Sequence, residues 1–258
     1  IADRCGPIVS AAFDGPVIAG NGSEAWVFLY LFAFQLYGDF SGYSDIARGC
    51  ARILGFNLML NFGKPYFVTN QAERWRHWHI SFSTWIRDYL FLPLTLSGAR
   101  GGKLVTLRNL VIVMFLGGLW HGAAWNFVFW GGYHGLLLVI YRWLDPKPID
   151  ADPLRSGVSR WRVLAMMALM FVLVVFGWLM FRADSAAQIS YFIQNMHRGV
   201  GDTGLELLHD LLFFSWPLLL VQLFQYRTGD LLAVMQLPWL ARAAIYCFLF
   251  WGILIFGV

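Results

Sequence analysis

The sequence holds 258 residues, of which 59% are hydrophobic, 18% aromatic and only 13% charged, with a formal net charge of +4. An ordinary soluble domain carries roughly 45–50% apolar and about 25% charged residues. The composition therefore excludes a disordered chain, a coiled coil and a secreted disulfide scaffold, and it points to a polytopic integral membrane protein. Cys5, Cys50 and Cys247 are far apart and odd in number, so neither a disulfide framework nor a metal site is expected. The basic residues lie between apolar runs, which is membrane patterning and not a nucleic-acid footprint. Residues 1–22 lack the features of a signal peptide.

In chain order, the first expected crossing is Ala25–Gly38, which enters a polar stretch, GDFSGYSD. Asp45, Arg48 and Arg52 then share a helical face and read as a salt-bridged turn. Residues 70–92 read as one amphipathic helix, opened by an Asn70/Glu73 capping box and stopped by Pro93. At 100° per residue Trp75, Trp78, Phe82, Ile86 and Tyr89 fall on one stripe, with Glu73, Arg76, His77, Ser81, Thr84, Arg87 and Asp88 opposite. His79 sits on the apolar stripe, either as a core histidine bonded to a carbonyl or as a functional group. His77 is expected on the polar side.

Residues 109–141 form a run without formal charge apart from its histidines. One helix of that length would be roughly 50 Å long, more than one crossing needs. Gly117, Gly118 and Gly122 are plausible break points, so the run reads as a broken helix or tight hairpin reaching membrane depth. Irregular backbone at that depth must be enclosed by protein or line a water-filled cavity. His121 lies at the break, and ionisable groups at depth are candidates for function; the alternative is a helix-packing hydrogen bond. His134 serves packing unless the helix breaks before it. Gly118/Gly122 and Gly131/Gly135 have the spacing that permits close helix contact. Three further crossings are expected at Val163–Phe181, Leu211–Tyr226 and Ala243–Val258.

Lysine and arginine number 19 in all. If segments 48–87, 99–108, 142–162 and 226–242 face the cytoplasm, 16 of them lie there, and Arg4, Arg182 and Arg198 lie outside. That asymmetry follows the positive-inside rule and requires the 109–141 run to return to the side it left.

Three stretches, YGDFSGYSDIARGCARILGF, ERWRHWHISFSTWIRDYLFLPL and GGLWHGAAWNFVFWGGYHG, closely resemble motifs of the membrane-bound O-acyltransferases. The nearest branch is bacterial and includes the alginate O-acetylation and teichoic acid D-alanyl transfer membrane proteins. The resemblance covers residues 24–143. It implies an all-α, multi-helix membrane bundle with a broken or re-entrant segment around a central tunnel. Residues 1–258 would form a single domain, with a motif-bearing part at 24–143 and C-terminal transmembrane helices at 144–258. It also implies helices upstream of the first motif, so the sequence reads as the C-terminal portion of a longer chain.

By the same resemblance His121 is the catalytic histidine, and His79 faces the same tunnel. The implied reaction moves an acyl group, acetyl by default, from a cytoplasmic thioester such as acyl-CoA or an acyl carrier. No bound cofactor is implied. The acceptor would be a hydroxyl of an extracytoplasmic polysaccharide such as alginate, with an extracytoplasmic acetyltransferase as partner. The setting would be the lipids of a bacterial inner membrane. His121 would act as general base, and His79, Asn126 or a backbone N–H near Gly122 would meet the oxyanion. Trp75, Trp78, Trp120 and Trp125 would wall the tunnel, and Arg74, Arg76 and Arg87 would attract an anionic donor or membrane lipids. A broken-helix transporter or channel and a catalytically silent family member are the rival readings. The charge asymmetry makes a direct prediction. Single cysteines near Lys147 and Arg227 will react only from the cytoplasm and one near Arg198 only from outside; Lys147 and Arg198 reporting one side would overturn the layout.

Overall fold

The computed structural model describes residues 1–14, 20–96, 102–144 and 159–256, and among them the secondary structure is helical throughout, with no strand. Arg100, Lys147 and Arg155, which the charge argument uses, lie outside the described residues. The helices are α1 (Ala2–Phe13), α2 (Gly22–Ile53), α3 (Gln71–His77), α4 (Ile80–Ile86), α5 (Leu92–Leu96), α6 (Lys103–His121), α7 (Trp125–Leu144), α8 (Arg160–Arg182), α9 (Ala186–Asn195), α10 (Asp202–Thr228) and α11 (Trp239–Phe256). A π-helical turn, Arg87–Phe91, leads from α4 into α5. Among the described residues four helices, α6, α8, α10 and α11, are long and apolar enough to cross a membrane. Together these make an all-α polytopic membrane protein.

Two compact units divide the chain: Ile1–Phe40 with Asn195–Val258, and Ser41–Gln194. In the first, the start of α2 is tied to the 198–204 loop. Gly22 N–H donates to the Arg198 carbonyl (2.6 Å) and Gly201 N–H to Ser23 Oγ (3.0 Å). Asn21 Oδ1 caps α2 by accepting from Glu24 N–H at 3.0 Å. Deeper in this unit, buried Gln222 of α10 donates to Tyr37 Oη of α2 at 2.7 Å. Such a bond satisfies both polar groups within an apolar layer. None of α11 is buried, as befits a helix whose solvent is lipid.

The second unit is built on three consecutive helices. The uncharged run proves to be the hairpin its glycines suggested, α6 and α7 joined by Gly122–Ala124. Both helices reach past the run, to Lys103 and Leu144, so α6 alone is long enough to cross. Three glycines set the approach. A methyl group at Gly118 would overlap the Phe127 carbonyl, one at Gly131 would overlap that of Met114, and one at Gly135 would lie 3.2 Å from the Val111 Cα. Lipid gives helices no hydrophobic incentive to associate, so close backbone approach supplies the packing. α8 then docks antiparallel on α7. Tyr133 Oη donates to the Leu173 carbonyl (2.9 Å) and Asn126 Nδ2 to that of Phe181 (3.2 Å), while Trp130 stacks on Trp178 at 6.2 Å.

Residues 70–92 differ from expectation. The capping box forms, with Glu73 N–H donating to Asn70 Oδ1 (2.8 Å) and the Glu73 carboxylate accepting from Thr69 N–H (2.8 Å). The helix, however, breaks at Trp78–His79. The 61–64 segment runs alongside and takes over the bonding: Ile80 N–H donates to the Asn61 carbonyl (2.9 Å) and Gly63 N–H to the His77 carbonyl (3.0 Å). Pro93 does not end the structure but sits inside α5, after the π-helical turn. A π-helical register shifts the carbonyls that a proline, with no N–H, would otherwise leave unpaired.

The hairpin contact predicts an asymmetry between adjacent glycines. Gly131→Ala must push α6 and α7 apart and should cost about 1–3 kcal/mol. Gly132 faces open space, so Gly132→Ala should be neutral or stabilising by up to about 1 kcal/mol. Unfolding midpoints in detergent will separate them; equal effects would contradict this packing.

Candidate active site

His121 is the last residue of α6, at the mouth of the hairpin. Its ring meets Trp130 edge-on at 5.1 Å, Phe181 at 5.1 Å, Trp120 at 5.0 Å and Phe82 at 5.9 Å. His79 comes from a different element, the break before α4, and lies 5.1 Å from Phe82 and 6.3 Å from Trp120. The two histidines thus share two aromatic neighbours. His79, Ser81, Phe82, Trp85 and Trp120 line a cleft of about 350 Å³, with His121 half-buried behind the pair formed by Trp120 and Phe82, 4.5 Å apart.

The backbone at His79 is left-handed, with φ 45° and ψ 57°, the sole positive φ of a non-glycine among the described residues. That conformation costs about 1–2 kcal/mol, and side chains held this way gather at functional sites. The Asn61 side chain answers the break. Its Oδ1 lies 2.9 Å from Ser81 Oγ, 3.3 Å from Ser81 N and 3.1 Å from His79 Nδ1, while its Nδ2 donates to Ser44 Oγ at 3.0 Å. Burial, with His121 as a lesser cause, pushes His79 down to about 4. Its imidazole is therefore neutral at physiological pH and able to accept a proton.

The other residues singled out in the sequence are distributed as follows. Trp120 is at the cleft and 60% exposed. Asn126 and Trp125 line a separate cavity of about 690 Å³ with Asp184, Ser185 and Ile189. Trp78 is buried in the core, edge-on to Phe62 at 5.0 Å and 5.0 Å from Trp178. Arg87 is exposed and paired with Asp88 at 2.7 Å. His134 is fully buried, 2.7 Å from Gln71 Nε2, with its other nitrogen against Gly177; it joins α3, α7 and α8.

Two expectations are corrected. His77 does not face water: its Nδ1 accepts from Lys64 N–H at 3.4 Å, and it closes against Gly63. Arg74 cannot collect anions from solution, because it is 0% exposed, 4.7 Å from the Trp75 ring and 5.3 Å from that of Trp178. Cation–π attraction offsets part of the cost of that buried charge. The break at Trp78–His79 rotates the two half-helices and invalidates a single wheel. Asn61 was missed because its partners are 17–20 residues away, and nothing local sets it apart from Asn57 in the same run.

Residues 16–180 match the membrane-bound O-acyltransferase family, and the chain belongs to that family. It is 47% identical over 185 residues to the "Probable alginate O-acetylase AlgI" of Pseudomonas syringae pv. tomato, covering 72% of this chain and 32% of that protein. It is 34% identical over 209 residues to the "Peptidoglycan O-acetyltransferase" of Helicobacter pylori, covering 81% and 37%. A third relative, 34% identical over 139 residues, is the "Teichoic acid D-alanyltransferase" of Streptococcus thermophilus, with 51% and 33% covered. The chain spans about a third of the length of these curated relatives.

The lowered titration of His79 has a stability consequence. As pH falls from 6.5 towards about 4, the unfolded chain takes up a proton at residue 79 that the folded chain refuses, so folding loses stability across that window. His79→Gln should flatten the dependence. Thermal unfolding in detergent across the window, with the same slope in both proteins, would contradict it.

Proposed function

We propose that the protein transfers an acyl group, acetyl by default, from a thioester donor to a hydroxyl, at the site where His79 and His121 meet. The hydroxyl oxygen attacks the thioester carbonyl while an imidazole nitrogen, His121 in the first instance, accepts its proton. The carbon–sulfur bond then breaks, and the departing sulfur takes the proton from the imidazolium, so the histidine is returned unchanged. Backbone N–H groups of the turn that follows His121 are the donors on hand for the oxyanion; the Asn126 amide, which lines the other cavity and donates to the Phe181 carbonyl, is not. Trp120 walls the cleft. Trp78 acts from beneath, holding the α3–α4 break, and Arg87 at the exposed turn is placed for an anionic donor. The observation that carries this reading is that two histidines from separate elements share the ring pair Phe82 and Trp120, with His79 lining the cleft beside it.

The acceptor is proposed to be an extracytoplasmic polysaccharide such as alginate, reached with an extracytoplasmic acetyltransferase partner. The donor is acyl-CoA or an acyl carrier on the cytoplasmic side of a bacterial inner membrane. Charge distribution supports this. Lys103, Arg108, Arg142, Arg160 and Arg162 lie at one end of the α6–α8 helices, and His121, Asn126 and Phe181 at the other. A 19-residue helix is about 28 Å long, and the positive-inside rule directs its basic end to the cytoplasm. His79, in turn, belongs to a segment whose Lys64, Arg76 and Arg87 belong on the cytoplasmic side. A site assembled from both is one that a cytoplasmic donor and an outer acceptor can each approach.

His121→Ala in the protein as it occurs in cells should lower acyl transfer by at least about 100-fold at unchanged membrane level, and His79→Ala should lower it strongly. Acyl content of the extracellular polysaccharide, normalised to membrane protein, is the measurement. Near-normal transfer by His121→Ala would refute the assignment.

A further inference from the structure

We propose that Asn61 is a positioning residue for this reaction: its side-chain carbonyl holds His79 as the Nδ1–H tautomer and so makes Nε2 the ring nitrogen that accepts from the hydroxyl. The inference rests on the reading of the His79–His121 cleft as the transfer site.

The orientation of the Asn61 amide follows from its neighbours. A backbone N–H can only donate, so the Asn61 atom 3.3 Å from Ser81 N is the oxygen. The Ser81 hydroxyl donates to the same oxygen at 2.9 Å. The amide nitrogen is then turned to Ser44 Oγ, to which it donates at 3.0 Å. Ser81 Oγ also lies 3.3 Å from His79 Nδ1, but its hydrogen is given to the Asn61 oxygen, so both neighbours of Nδ1 present lone pairs, the Asn61 oxygen at 3.1 Å, and Nδ1 carries hydrogen. A neutral imidazole has one N–H. Once Nδ1 holds it, Nε2 is an acceptor.

The backbone supports the same end. Asn61 O accepts from Ile80 N–H at 2.9 Å, so one residue brackets the left-handed His79 with both its backbone and its side chain. Such a conformation persists only when its surroundings over-determine it. Among the described residues, His121 of α6 is a titratable group that acts on His79; Asn61, Ser81, Phe82 and Trp120 bring no charge.

The consequence for the chemistry is a division of roles. In its neutral form His79 takes a hydrogen bond from the hydroxyl, or its proton, and does not donate to the oxyanion. That duty passes to the 122–126 turn.

The test combines spectroscopy with transfer. Nitrogen NMR of histidine-labelled protein in lipid bilayers, with the His79 signal identified by its loss in His79→Gln, should show a protonated Nδ1. An Nε2–H tautomer would overturn the proposal. Asn61→Leu should reduce acyl transfer by at least about tenfold at wild-type membrane level, and the His79 signal should leave the pure Nδ1–H form. Asn61→Asp keeps an acceptor; it should retain transfer to within about threefold and should raise the pH at which His79 titrates, because a carboxylate favours the imidazolium. Unchanged His79 titration in Asn61→Asp, or near-normal transfer in Asn61→Leu, would also overturn it. Should Asn61→Leu not accumulate, the wild-type spectrum and Asn61→Asp decide. Normal transfer by His79→Ala would instead remove the transfer-site reading itself, whereas loss in His79→Ala beside normal Asn61→Leu would remove only the role of Asn61.

Discussion

The unit that carries the histidines depends on backbone touching backbone at Gly118 and Gly131. Because neither residue has a side chain, α6 and α7 approach until the Met114 and Phe127 carbonyls lie where methyl groups would otherwise be. Dispersion between such closely packed atoms is small per pair and large in sum, and in lipid it substitutes for the hydrophobic force. The turn that closes the hairpin must then follow within three residues, and His121 is the last helical residue before it. The same approach sets Trp130 beside His121 and Asn126 beside Phe181. α8 inherits its register from that face, through Gly177 against His134 and Tyr133 against Leu173.

Against this hairpin stands a second irregularity, the break before α4. Breaking a helix frees N–H and carbonyl groups that must find partners. Asn61 and Gly63 supply them, Lys64 N–H meets the His77 ring, and His77 and His79 are absorbed into the arrangement on either side of Trp78. The break is held from below by an aromatic layer, Trp78 and Trp178 with the Arg74 guanidinium against them. A charged group so enclosed is tolerable because three tryptophan faces attract it. The layer packs closely against the segment that leads into His79.

Much of this was legible in the amino-acid order. Length and hydropathy marked α8, α10 and α11, because a crossing helix needs about 20 apolar residues whatever surrounds it. The glycines of the 117–135 stretch marked both the hairpin and its close contact, since few other residues allow backbones to meet. The capping box at Asn70 and the Asp45–Arg48 pair, 3.2 Å apart, were readable too, because both are local. His79 and His121 stood out as polar residues where apolar ones were expected.

What only the tertiary structure decided are the relations between distant segments. The wheel drawn over 70–92 assumed an unbroken helix, and nothing within those residues reveals that 61–64 competes for their backbone bonds. That competition turned His77 inward, set His79 in a left-handed conformation, buried Arg74 and made Asn61 a partner of His79. Trp78 and Trp120 look alike in sequence, yet one supports the core and the other walls the cleft, because burial depends on which helix lies opposite. Periodicity and residue type are properties of a segment and can be read from it. Hydrogen-bond partners 17–20 residues apart, and the aromatic walls shared by His79 and His121, exist only once the segments have packed.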